Sequence, residues 1–101
     1  GYGTVNSASV TTYIAVAGDQ LLTNTTTAGI TITLPTSAAT GDEVTIVDAR
    51  GTFNSNNLII NRNGHNINSS AANQTLSTNG QAITLVYVDA TRGWAFKTNT
   101  A

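Results

Sequence analysis

Five carboxylates and a single histidine, Asp19, Asp42, Glu43, Asp48, Asp89 and His65, are the side chains of this chain best suited to proton transfer near neutral pH. Glycoside hydrolysis would need two of the carboxylates facing each other across a scissile bond. Asp42 and Glu43 are sequence neighbours, so in a strand they point to opposite faces. Asp19, Asp48 and Asp89 each lie in or beside a turn signal, where a carboxylate accepts hydrogen bonds from nearby backbone N–H groups. A nucleophilic triad needs a base against a Ser or Thr hydroxyl. The one base on offer, His65, follows Asn63-Gly64, a pair that marks a solvated hairpin tip. One histidine and no cysteine provide neither a histidine cluster nor a thiolate metal site. The carboxylates lack the Asp-x-Asp spacing of a calcium loop, and the glycines form no phosphate-binding motif. The expectation is a protein that is not an enzyme and has no cofactor or metal.

Binding chemistry is easier to place. Asn54, Asn56, Asn57, Asn63 and Asn66 fall in two Asn-rich loops and offer amide donors and acceptors suited to sugar hydroxyls, which makes them candidate glycan contacts. Among the aromatics, Trp94 and Phe96 share a strand face and are expected to fill the core opposite Tyr87. Tyr2 and Phe53 are the better candidates for exposed contacts.

Charged residues make up 9% of the chain and the formal net charge is −1, against about 25% charged residues in an ordinary soluble domain. Arg50, Arg62, Arg92 and Lys97 are too few and too scattered to neutralise a run of phosphates, so no nucleic-acid partner is expected. No apolar stretch approaches the roughly 20 residues of a membrane helix, so membrane insertion is not expected either. Low net charge removes the self-repulsion that keeps small domains apart and favours association with copies of the same chain. Gly1 in place of an initiator methionine suggests processing or excision from a longer parent.

The elements that would carry these side chains are short strands. Residues 1–12 are small and polar without a sustained period, and read as an N-terminal arm or linker; residues 13–101 read as one β domain. Ile30, Ile32 and Leu34 alternate with threonines until Pro35 ends the run. Val44 and Ile46 continue an apolar face, and Leu58 to Asn61 followed by Asn63-Gly64 suggests a type I′ hairpin returning through residues 65–68. Residues 74–77 and 81–88 repeat the strand, Asn-Gly, strand arrangement, and residues 88 and 94–98 form a last pair. No window has helical periodicity. The expected fold is all-β: a small antiparallel β-sandwich or jelly-roll-like barrel of about eight short strands. Several strands are apolar on both faces. Val47, Ile59, Val86 and Val88 fall opposite the core positions and are candidate subunit-interface residues, each able to contribute about 1.5–3 kcal/mol if buried by a partner.

The order ITITLP, GDEVTIVDARG, NNLIINRNG, ITLVYV, GWAFK resembles a β module of bacteriophage tail fibres and other virion appendages or decorations. The match runs from about Tyr13 to Lys97 and rests on Leu34-Pro35, Gly41-Asp42, Asp48, Asn57-Leu58, Asn63-Gly64, Leu85-Val86-Tyr87 and Gly93-Trp94. The resemblance implies a homotrimeric, non-enzymatic part of a virion surface, in contact with other virion proteins, on a tail fibre, a tail tip or the capsid, where it would serve as decoration or head fibre. It carries no catalytic residue across. Two other expectations stand beside it. One is a carbohydrate-binding fibre tip that attaches to a host surface glycan. The other is an extracellular filament whose residues 1–12 complete a neighbour's sheet.

Overall fold

The computed structural model describes all 101 residues and contains nine strands and no helix. In chain order they are β1 Tyr2–Asn6, β2 Thr12–Ile14, β3 Gln20–Asn24, β4 Ile30–Thr33, β5 Glu43–Asp48, β6 Leu58–Asn61, β7 Gln74–Leu76, β8 Ala82–Asp89 and β9 Gly93–Asn99. The all-β expectation holds. The two sheets are mixed, however, where antiparallel pairing was expected. One sheet has the order β1-β3-β5-β8-β9 and the other β2-β4-β6-β7.

From β1 to β6 each strand enters the sheet opposite to its predecessor, so parallel neighbours are one circuit of the chain apart. Tyr2 pairs with Gln20, Gln20 with Thr45, Thr12 with Thr31, and Ile30 with Leu58. The chain thus winds three flattened coils, β1 with β2, β3 with β4, and β5 with β6. It then closes with antiparallel β7 in one sheet and the antiparallel β8–β9 hairpin in the other. Pro35, read as the link within a strand pair, is buried where the chain crosses from one sheet to the other.

Strand alternation makes this winding favourable. Inward residues stack in register from coil to coil: Leu21, Ile46 and Ile83 in one sheet, Ile30, Leu58 and Leu76 with Ile32 and Ile60 in the other. They belong to one core of 17 buried hydrophobic residues, in which each aliphatic side chain is worth about 1.5–3 kcal/mol relative to exposure. Trp94 lies fully buried beside Tyr87, edge to face at 5.4 Å, as the sequence suggests.

Three expectations fail. Residues 1–12 are not an arm outside the core: β1 pairs with β3, Val5 is buried in the core, and Ser7 Oγ accepts the backbone N–H groups of Thr27 and Ala28. The polar composition reflects an edge strand whose inward positions include Gly3 and Val5. The turn at Asn63-Gly64 forms, with φ of 49° and 85° and a His65 N–H bond to the Arg62 carbonyl, but no returning strand follows. Residues 66–68 instead run beside β9. Phe53 is fully buried instead of exposed.

Candidate functional site

The carboxylates resolve into turn anchors. Asp48 ends β5 with its side chain turned inward and 6% exposed. Its Oδ1 accepts the N–H groups of Arg50, Gly51 and Thr52 at 3.0–3.4 Å, and its Oδ2 accepts those of Phe53 at 3.1 Å and Gly80 at 2.9 Å. Burial pushes this carboxyl upward, but the N–H groups of Gly80, Phe53, Thr52 and Arg50 outweigh it and hold the group below its ordinary value. An acceptor that is ionised and fully engaged is a poor general acid and a good strut, tying β5, the 50–53 loop and the entry to β8 together.

Asp19 Oδ2 accepts the Val16 N–H at 2.9 Å and the Tyr13 hydroxyl at 3.1 Å. Desolvation first, then this bond and the charge of Asp19, raise the Tyr13 hydroxyl above its usual value. Asp42 caps Ala39, and Asp89 Oδ1 accepts from Thr91 and Arg92 at 3.0 and 2.7 Å. Glu43 pairs with Lys97 across the outer surface at 3.0 Å. His65 donates from Nε2 to the Thr36 carbonyl at 3.1 Å and lies edge to face on Tyr87 at 5.4 Å. Its ring holds a loop against the β8 strand, with no Ser or Thr hydroxyl among its hydrogen-bond partners.

The Asn side chains are similarly occupied. Asn54 Nδ2 donates to the Ser77 carbonyl, Asn56 Nδ2 to those of Thr25 and Thr26, and Asn57 Nδ2 to that of Phe53. Asn63 Nδ2 reaches the Leu34 carbonyl and Thr36 Oγ1, and Asn66 Nδ2 the Thr91 carbonyl. Amides that read as a sugar platform are, in place, the ties that satisfy loop carbonyls where no ladder can.

The outward faces of the sheets carry side chains in registered rows. On the five-stranded sheet, Leu22, Val47 and Ala82 form one row and Glu43, Val86 and Ala95 another. Between them runs Gln20, Thr45, Thr84 and Thr98, with Thr45 and Thr84 hydrogen-bonded at 2.9 Å. On the four-stranded sheet the rows are Thr12, Thr31, Ile59 and Thr75, and Ile14, Thr33 and Asn61. Of the candidate interface residues, Val47, Val86 and Val88 therefore share one outer face, while Ile59 stands on the opposite side of the molecule. The threonine row separates Val47 from Val86. Val47 and Val86 are half-buried, and Ile59 and Val88 are each 38% exposed.

Sequence reasoning missed strand β1, though it named Tyr2 as a candidate exposed contact. Tyr2, Val10, Ile14 and Val16 are four of the six large hydrophobic residues left exposed, and all lie on β1, β2 or the chain beside them. A signal was present: the first charged side chain of the sequence is Asp19.

No protein-family model matches the chain, and no curated protein matches it.

Proposed function

We propose that the protein is a structural module of a bacteriophage virion surface appendage, acting by assembly with copies of itself and contact with other virion proteins. The observation that carries this reading is the fate of the polar side chains. Asp19, Asp42, Asp48, Asp89 and His65, together with the five loop asparagines, are engaged in ties between loops and strands. What faces outward are sheet faces whose registered rows are rich in Thr, Val and Ile, a surface suited to packing against another surface. The positions that carry the resemblance to phage appendage modules are of the same kind. Leu34 and Trp94 are core, Asp48 anchors a loop, and Asn63-Gly64 is a turn with positive φ at both residues.

In such an appendage the module would be homotrimeric, with Val47, Val86 and Val88 of the five-stranded sheet turned toward neighbouring subunits. Light scattering on the purified chain tests this. A mass of three chains, or a multiple of three, is expected, and Val86→Lys, which leaves Glu43 an opposite charge beside it, should divide that mass by three. A wild-type monomer at micromolar concentration, with or without added virion proteins, contradicts the proposal.

A further inference from the structure

The two ends of the coil stack differ in how their strand edges are finished. At the C-terminal end, the free edge of β9 is covered over Trp94–Phe96 by residues 66–68: Trp94 N–H bonds the Asn66 carbonyl, Asn68 N–H bonds the Trp94 carbonyl, and Phe96 N–H bonds Asn68 Oδ1, at 2.8–3.1 Å. The pairing of β8 with β9 is interrupted by two register shifts, and the exposed Lys97 follows. In the other sheet the last strand, β7, has three residues. Coverage, bulges, charge and brevity are the means by which sheet edges are kept from pairing with other chains.

At the opposite end only brevity is shared, in the three-residue β2; coverage, bulges and charge are absent from β1 and β2. Strands β1 and β2 each have a neighbour on one side only. Ser7 N–H bonds the Asn24 carbonyl, the Thr11 carbonyl accepts Thr31 N–H, and Ala15 N–H bonds the Thr33 carbonyl. Because backbone groups alternate along a strand, the N–H groups of Tyr2, Thr4, Thr12 and Ile14 therefore face away from the sheets. Residues 1–18 contain no charged side chain and no proline. At the rims of the two edges stand Tyr2, 55% exposed, Val10, 46%, Ile14, 67%, and Val16, 61%.

We infer that this end is a docking surface for the same end of a second copy of the chain. A two-fold axis perpendicular to the strands sets β1 against the partner's β1 and β2 against the partner's β2, both antiparallel, and extends each sheet across the junction. The identity of the occupant follows from charge and symmetry. An edge pair without a charged side chain offers nothing to steer or select a charged partner, whereas it meets its own counterpart with no like-charge contact and with apolar rim residues on both sides. Head-to-tail stacking would instead place it on the covered edge of β9. This contact is separate from the outer face of the five-stranded sheet and stands whether or not that face forms a trimer.

Light scattering with edge variants tests the inference. Thr4→Pro removes an outward N–H from β1, and Ile14→Lys and Val16→Lys place charge at exposed rim positions. Each should halve the mass of the wild-type assembly while circular dichroism and thermal unfolding of the dissociated species stay unchanged. Division by two from the edge and by three from Val86→Lys keeps the two contacts distinguishable. Wild-type mass in both Ile14→Lys and Val16→Lys overturns the inference, as does a wild-type chain whose mass is an odd number of protomers at all concentrations up to the millimolar range. Sites of this exposure tolerate lysine, so loss of folding in both lysine variants would also count against it, by showing that the first coil is not the exposed end described.

Discussion

The first coil and the closing hairpin belong to the same five-stranded sheet, yet they are built to opposite ends. The closing hairpin is over-determined. Its edge is covered by residues 66–68, Gly93 fits against the backbone of Asn66, and Trp94 is buried so deeply that its indole N–H has no acceptor. An unmet donor of this kind costs about 1–3 kcal/mol, which burial of the ring offsets. The first coil has one fully inward aliphatic in β1, Val5, and a three-residue β2, with exposed apolar side chains around them. The difference teaches that the backbone edge of the lone chain is closed at one end and available for pairing at the other. Closure is concentrated where the pairing turns antiparallel, and β1 and β2 each have a neighbour on one side only.

Substitutions can break or sharpen this contrast. The largest effect is expected from Gly93→Ala. Gly93 has φ of +67°, and an added Cβ would lie 1.8 Å from the Asn66 carbonyl oxygen. Backbone strain and overpacking together should cost roughly 2–5 kcal/mol, read as a lower urea midpoint. A loss below about 0.5 kcal/mol would mean that residues 66–68 do not cover the β9 edge as described.

Asp48→Asn comes next. It replaces a carboxylate accepting five N–H groups with an amide that presents its own donor to some of them, and should cost about 2–4 kcal/mol. The wild-type chain carries a matching pH signature. Asp48 is held below its ordinary value in the fold, so its contribution is complete above the usual carboxylate range and is lost as pH falls through the depressed value. Urea midpoints should therefore fall on acidification in the wild type and fall less in Asp48→Asn. Parallel pH curves for the two proteins would contradict the role given to this side chain.

The smallest effect is at the open end. Ile14→Lys should change the stability of the dissociated chain by no more than about 0.5 kcal/mol, because the side chain is 67% exposed. A cost of several kcal/mol there would erase the contrast between the two ends.

Much of this was legible from residues. Alternation placed Ile30, Ile32, Leu34, Val44, Ile46 and Tyr87 on core faces, and all are buried. Turn chemistry identified Asp48 and Asp89 as loop anchors and Asn63-Gly64 as a positive-φ turn. Pairing was not legible. A period of two specifies which face a side chain takes and is silent about which strand lies alongside, so successive strands read as hairpins when they in fact alternate between sheets. Strand β1 escaped notice because an edge strand needs few apolar residues, and Phe53 because a lone aromatic in a polar loop gives no sign that Asp48 draws that loop inward. The five asparagines use Nδ2 to tie down loop carbonyls, a second use of the same amide chemistry that suits a sugar hydroxyl.

The central claim, an open coil end opposite a closed one, is tested most directly by amide hydrogen exchange measured residue by residue at increasing protein concentration. The outward N–H groups of Thr4, Thr12 and Ile14 should exchange freely in the dilute chain and become protected as it concentrates, while those of Trp94 and Phe96 stay protected throughout. Protection at Trp94 and Phe96 that depends on concentration, or outward amides of the first coil that exchange at the same rate in dilute and concentrated samples, would contradict the account.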